Sequence, residues 1–105
     1  MAFTIAHRMG DMDRNPPLSS FPELLAELDP KDTEHCDVAV THESGWCISV
    51  GVSRTISWEN IEAGPLPRHM VDVPDRKIIE LWTKLASGDL AAIESEPWQP
   101  GYYPK

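Results

Sequence analysis

Four side chains that could bind a metal ion or act in catalysis lie close together in the sequence: His35, Cys36, His42 and Cys47. A zinc site needs such ligands to converge tetrahedrally on one point. Alternate side chains of a β-strand point to opposite faces, and Cys47 has the parity opposite to Trp46. Cys36 and Cys47 should therefore project to opposite faces of the predicted sheet. The chain also contains no CxxC or HxxxH spacing, and we predict no metal site and no cofactor.

Nucleophilic catalysis by cysteine would need a base beside the thiol and a third group that orients the base. His35 directly precedes Cys36, and neighbouring side chains on a strand point in opposite directions. His42 and Glu43 could form an acid–base pair, but an exposed hairpin tip lacks the burial that tunes such groups. We predict that the protein is not an enzyme. A small enzyme that uses Cys36, His42 and Glu43 is an alternative, and it requires a concave pocket where the three side chains converge.

Net charge narrows the class of partner. Seventeen acidic residues stand against nine basic ones in a chain of 105 residues, which gives a formal charge of -8. The phosphates of nucleic acid and of anionic membranes repel such a chain, whereas a strongly basic protein attracts it. Hydrophobic residues at 41% and charged residues at 25% are close to ordinary globular values, so the chain should fold despite its charge. We predict a protein-binding domain that binds neither nucleic acid nor membranes.

The acidic residues form two groups, and each group is a candidate binding surface. One group borders the predicted strands, and the other runs along and after the first predicted helix. Tryptophan is enriched at binding hot spots. Trp98 lies in a proline-rich tail, and it either packs this tail onto the sheet or remains exposed as an anchor for a partner. The candidate partner-binding residues are Glu43, Glu59, Glu62 and Trp98, with Asp29, Asp32 and Glu34 as the alternative acidic face.

Length predicts one domain over residues 1–105, because a chain of this size has room for a single core. Residues 1–18 should be partly loop and residues 97–105 an irregular tail, since glycine and proline interrupt both segments. No run is long and apolar enough to cross a membrane, and the first residues do not resemble a secretory signal. We therefore expect a cytoplasmic protein, in which Cys36 and Cys47 should be reduced.

Period-two alternation of apolar residues, many of them β-branched, predicts the strands. A polar connection that ends in Gly45 joins the two central segments, so these should pair as an antiparallel hairpin. Residues 8–18 combine Gly, Asp, Asn and a Pro-Pro pair, and they are predicted to be loop. The predicted strands are residues 3–6, 36–41, 46–52 and 55–59, with residues 69–71 as the optional fourth strand of the meander.

Two segments place apolar residues at i, i+3, i+4 and i+7, which is the spacing of one helix face. The first begins at Ser20, which should form a capping box with Glu23, and ends before Pro30. The second runs over residues 74–87, and residues 89–93 can add one more helical turn. Together the elements predict an α+β fold, a three- or four-stranded antiparallel meander with two helices packed on one face.

The order of these elements resembles the Imm1 type of bacterial immunity protein over about residues 20–98. The sharpest point of the resemblance is the Pro-Trp pair that follows the second helix. Proteins of this family are small α+β inhibitors encoded beside polymorphic toxins, often nucleic-acid deaminases or nucleases, and they protect the producing cell by binding the toxin domain. The matching segments are FPELLAEL, CDVAV, HESGW leading into CISVGV, ISWENI, PRHMVDVP and DRKIIELWTKLASGD, which ends near Pro97 and Trp98.

The resemblance and the charge together predict an immunity protein that binds a cognate bacterial toxin. It would neutralise a basic toxin domain that acts on nucleic acid by occluding the active site of that domain. An acidic adaptor or assembly subunit without a toxin partner is the alternative, and a neighbouring gene without a toxin-like domain would distinguish it. The sequence leaves open the chemistry of the toxin, the face that binds it and the oligomeric state.

Overall fold

The computed structural model describes residues 2–31, 37–62 and 66–101. In these residues the chain forms one antiparallel sheet and three helices, which confirms the predicted α+β class. The strands are β1 (Phe3–Ala6), β2 (Met12–Arg14), β3 (Asp37–His42), β4 (Trp46–Gly51), β5 (Ile56–Asn60), β6 (Arg68–Met70) and β7 (Gln99–Pro100). The helices are α1 (Ser20–Ala26), α2 (Asp75–Ala86) and α3 (Leu90–Glu94).

The described part of the sheet has seven strands in the order β2-β1-β3-β4-β5-β6-β7. The predicted meander forms its centre and includes the fourth strand, β6, but the prediction of three or four strands is too low. β1 joins the same sheet beside β3, and β2 and β7 lie in segments predicted to be loop or irregular tail. These two strands have three and two residues, all exposed, so they carry no alternation of apolar and polar residues that could reveal them.

One face of the sheet forms the hydrophobic core. The strand register places Val38 beside Val50 and Val40 beside Ile48, and Ile48 lies beside Trp58 of the next strand. All five side chains are buried, as their alternation predicts. The buried side chains of the three helices join the same cluster, so the helices pack on this face. They are Phe21, Leu24, Leu25, Ile78, Leu81, Trp82, Leu85, Ala86 and Ile93.

Helix α2 agrees with its prediction at both ends. Pro74 is its N-cap and Ser87 its C-cap, and Gly88 follows with a φ of 80°. The indole Nε1 of Trp82 donates to the carbonyl oxygen of Ile48 at 3.1 Å, which ties the helix to a central strand. Among the described residues, no helix has the length and apolar character needed to cross a membrane.

Helix α1 differs from its prediction at its start. Ser19 is the N-cap, and no side chain caps the helix. The hydroxyl of Ser20 instead donates to the carbonyl oxygen of Pro17 at 2.6 Å. The predicted capping box of Ser20 and Glu23 is therefore wrong, because Ser20 lies inside the first turn and its hydroxyl donates to Pro17 instead of accepting an N–H of the helix end.

Candidate functional site

The face of the sheet opposite the core carries small and polar side chains. In the register, Thr41, Cys47 and Glu59 form one row across the strands. All three described helices pack on the other face, so none of them covers this one. We call this surface the open face. Its central side chains are those of Asp37, Ala39, Thr41, Cys47, Ser49, Ser57, Glu59 and His69.

A cavity of about 360 Å³ lies on the open face across β3, β4 and β5. Two carboxylates line it, those of Asp37 and Glu59. Ser49 and Ser57 also line it, and a hydrogen bond of 2.5 Å joins their hydroxyl oxygens. No lysine or arginine is among the described residues that line this cavity. Carboxylate and hydroxyl oxygens in one cavity suit the binding of a positively charged hydrogen-bond donor.

The negative charge of the open face extends to the buried thiol of Cys47. Burial raises the pKa of this thiol to about 11, with smaller contributions in the same direction from the charges of Glu59 and Asp37. A hydrogen bond with Thr41 acts against the shift. A thiol with this pKa is protonated near neutral pH and is a poor nucleophile. The carboxylates that disfavour a thiolate at this point favour a cation nearby.

Four of the eight described lysine and arginine side chains form ion pairs with carboxylates of α2, α3 or the residue Glu96. Residues 37–62 contain four carboxylates and one cation, Arg54. Arg54 pairs with Asp75 at the start of α2 at 2.7 Å, and it does not line the cavity. Further ion pairs join Arg68 to Glu94, Lys77 to Glu80 and Glu96, and Lys84 to Glu80.

Three predicted contact residues lie on the open face or at the adjoining end of the sheet. Glu59 lines the cavity. Glu43 lies in the turn between β3 and β4, where its backbone N–H donates to the carbonyl oxygen of Ala2 at 2.9 Å. Glu62 follows β5 and reaches the same turn, since a Cβ placed on Gly45 would lie 2.8 Å from its Oε2. Glu43 and Glu62 therefore share one end of the sheet.

Trp98 lies on the core side of the sheet and not beside Glu59. The ring centroid of Trp58 is 4.4 Å from that of Trp46 and 6.1 Å from that of Trp98, with an angle of 17° between the planes in each pair. The indole Nε1 of Trp98 donates to the carbonyl oxygen of Ile93 at 2.8 Å. Of the two possibilities considered for this residue, the structure has the half-buried indole packing the tail onto the sheet.

The alternative acidic face is described only at Asp29, which follows α1. Its Oδ1 accepts the backbone N–H of Lys31 at 2.9 Å, a local turn contact. Asp32 and Glu34 lie outside the described residues. Whether the three carboxylates form one surface therefore stays a prediction.

The residues of the enzyme alternative are also described only in part, because His35 and Cys36 lie outside the described residues. His42 Nδ1 lies 2.8 Å from the hydroxyl of Ser44. Neither His42 nor Glu43 lines the open-face cavity. Within the described ranges, no group of three or more His, Cys, Asp and Glu side chains has the arrangement to hold a metal ion.

Asp37 is the cavity residue that sequence reasoning missed. Its side chain alternates with those of Val38 and Val40, so it points to the opposite face of the sheet. The strand register places Glu59 on that same face. The alternation that predicts the core face therefore also contains the signal for the polar face. Only the pairing of the strands brings Asp37 and Glu59 to one cavity.

Comparisons with protein families, with curated proteins and with solved structures find no match for this chain. The resemblance to the Imm1 type of immunity protein therefore rests on the pattern of elements alone and stays a prediction. A function has to be inferred from the open face itself.

Proposed function

We propose that the protein binds a cationic protein through its open face and neutralises it, and that this partner is a bacterial toxin domain that acts on nucleic acid. Proteins that act on nucleic acid present lysine and arginine to the phosphates. An acidic face that covers such a surface competes directly with the nucleic acid for it. On this proposal the protein acts in the cytoplasm by occlusion, without catalysis or a cofactor of its own.

The observation that carries the proposal is the pair of carboxylates that line the cavity on the open face. Around the helices, Lys77, Lys84 and Arg68 each lie within ion-pair distance of a carboxylate. On the open face, Asp37 and Glu59 line a cavity with no lysine or arginine among its described residues. The cavity carboxylates therefore contribute negative potential on the side of the sheet that no described helix covers.

The cavity offers a place for a basic side chain of the partner. Ammonium and guanidinium groups are hydrogen-bond donors only. A lysine or arginine that enters the cavity meets the carboxylates of Asp37 and Glu59 and the hydroxyl oxygens of Ser49 and Ser57. Charge-assisted hydrogen bonds of this kind are roughly twice as strong as neutral ones.

The exposed acids at the end of the sheet extend this surface beyond the cavity. Glu43 and Glu62 are exposed beside the β3–β4 turn. Charges at the rim of an interface mainly accelerate association, whereas charges buried within it mainly slow dissociation. The two positions therefore have different roles in the proposal: Glu43 and Glu62 attract the partner, and the cavity retains it.

An acidic adaptor or assembly subunit would use the same face, so the two functions differ in the partner and not in the surface. The adaptor predicts a basic partner without toxicity. The small enzyme predicts an activity that is lost on His42→Ala, with no requirement for Asp37 or Glu59. Growth rescue in the experiment that follows separates the toxin inhibitor from the adaptor, and a separate activity assay of His42→Ala tests the enzyme.

The test is co-expression of the protein with the product of the adjacent toxin-like gene. We expect the two proteins to co-purify and the protein to restore growth to cells that express the toxin domain. Asp37→Lys with Glu59→Lys should abolish both effects. Glu23→Lys with Asp29→Lys is the matched control, because it changes the net charge by the same amount at exposed or half-buried positions of α1 and the residues that follow it.

Two outcomes would contradict the proposal. If the wild-type protein neither co-purifies with the toxin domain nor restores growth, the toxin is not its partner. If the open-face variant keeps both effects and the control variant loses them, the partner binds the acidic surface near α1 instead.

A further inference from the structure

His7 follows β1 and lies between two carboxylates that come from different elements. Its Nδ1 is 2.5 Å from Oε2 of Glu27, the C-cap residue of α1. Its Nε2 is 2.6 Å from Oδ2 of Asp13 in β2. The second carboxylate oxygen of Glu27 accepts the backbone N–H of Arg8 at 3.0 Å. The imidazole ring thus connects β1, α1 and the outermost described strand of the sheet.

This arrangement requires a protonated ring. An imidazolium has two N–H donors, one for each carboxylate, whereas neutral imidazole has one donor and one lone pair. A neutral His7 would place that lone pair against a carboxylate oxygen at hydrogen-bond distance, which is repulsive. Loss of the proton must therefore break one of the two contacts.

The charges around the ring favour the protonated state. The groups that face it, or line the cavities beside it, are Arg8 next to it in the chain, Asp11, Asp13 and Arg14 in and before β2, and Glu23 and Glu27 of α1 and its cap. The hydrogen bond to Glu27 and then that to Asp13 raise the pKa of His7 above its ordinary value, against the opposing effect of burial.

Asp13 is the contact that breaks more easily. Its side chain is 61% exposed, compared with 29% for Glu27, which also holds the backbone of Arg8. The three side chains of β2 are all exposed and bury nothing in the core. Besides its pairing with β1, β2 is held by backbone hydrogen bonds at its ends, His7 N–H to Asp11 and Asn15 N–H to Phe3.

We infer that His7 is a proton-dependent latch, which holds β2 on the sheet when the ring is charged and releases it when the ring is neutral. This inference does not depend on the identity of the partner. Release of β2 would leave the outer edge of β1 unpaired, and such an edge can accept a strand from another chain. Proton binding would thus decide whether the sheet ends at β2 or at β1.

The direction of the pH dependence follows from linkage. A group whose pKa is raised in the folded state contributes stability that is complete below its ordinary value of 6.5 and is lost as the pH rises through the raised value. The latch should therefore close in mildly acidic solution and open in alkaline solution. Each unit by which the pKa is raised corresponds to about a tenfold change in the equilibrium between docked and released β2.

The test combines NMR titration of the His7 ring with hydrogen exchange of the amides of His7 and Asn15, which bracket the paired strands. We expect the protection factors of these two amides to fall as the His7 ring loses its proton, with the same midpoint. The amides of β4 should keep their protection over this pH range. Unchanged protection of His7 and Asn15 across the titration, or a His7 midpoint at or below 6.5, would overturn the latch.

Two variants separate the latch from a merely structural contact. In Asp13→Asn the side-chain amide can donate to the lone pair of a neutral His7, so β2 should stay protected in alkaline solution and the His7 midpoint should fall. Glu27→Gln removes the other carboxylate and should also lower the midpoint, which provides a second measurement if the first variant does not fold. Asp11→Asn is the control and should leave the midpoint within about 0.3 units, since its side chain lines the cavity without bonding to the ring.

Discussion

At the scale of single residues, Trp58 links the sheet to the end of the chain. Its indole is fully buried, its two ring neighbours are Trp46 and Trp98, and its Nε1 donates to Oε2 of Glu94 at 2.8 Å. Both oxygens of Glu94 also accept from the guanidinium of Arg68 at 2.7 Å. The stack on Trp58 therefore joins the tail that follows α3 to the sheet, in addition to the pairing of β7 with β6, and the shared carboxylate joins the end of α3 to the sheet.

The stack predicts a specific cost for changes at Trp98. Trp98→Ala should lower the free energy of unfolding by about 2 kcal/mol, because it removes half-buried aromatic contact with Trp58 and the hydrogen bond to Ile93. Trp98→Phe keeps a ring against Trp58 but loses the donor, and it should cost about 1 kcal/mol. Urea unfolding followed by circular dichroism measures both values. An alanine variant as stable as the wild type would show that the contacts of the Trp98 side chain contribute nothing to stability.

At the scale of elements, the turn between β3 and β4 sets the position of the acidic end of the sheet. Gly45 has a φ of +93°, a conformation that glycine adopts without strain. Its missing side chain also leaves room for the β5 end, since a Cβ there would lie 2.6 Å from Asn60 Oδ1 and 2.8 Å from Glu62 Oε2. The turn and the residues that follow β5 are therefore packed against each other at this glycine.

Gly10 provides a matched control for a substitution at Gly45. Gly10 has a similar φ of +98°, but a Cβ at this position meets nothing within 4 Å. Gly10→Ala should cost about 1 kcal/mol from the backbone conformation alone. Gly45→Ala should cost about 1–2 kcal/mol more, because Asn60 and Glu62 must move. Thermal or urea unfolding of the two variants gives the difference, and equal costs would mean that the contact at Gly45 relaxes freely.

Elements with a long periodic pattern were predictable from the sequence, and short ones were not. Helix α2 and the strands β3, β4 and β5 bury side chains at a regular period, so their pattern reflects the core directly. Strand β2 buries nothing, and its place depends on pairing with β1 and on the His7 contacts. The cluster of His7, Asp13 and Glu27 could not be predicted either, because these residues are separated in the sequence and only the fold brings them together.

At the scale of the whole molecule, the net charge was predictable but its distribution was not. The alternation of apolar and polar residues predicts that Glu59 lies on the polar face. The cavity that it shares with Asp37 depends on the strand register, which the sequence of a single strand does not reveal. The sequence shows that α2 contains lysine and arginine. It does not show that Lys77 Nζ lies 2.9 Å from Oε2 of Glu96, which is 19 residues away in the chain. Strand register and ion pairing of this kind depend on the fold, so the composition alone does not reveal the distribution of charge.

The distribution of charge predicts how the partner associates. Neutralisation of the rim of the open face by Glu43→Gln with Glu62→Gln should lower the association rate with the neighbouring toxin domain on the order of tenfold at low ionic strength. Glu23→Gln with Asp29→Asn removes the same charge near α1 and should change the rate far less. At about 0.1 M salt the screening length is only about 10 Å, so the two rates should converge as salt is added. Stopped-flow mixing measures both rates, and a larger effect from the α1 pair would place the steering surface there and remove the open face from the proposed interface.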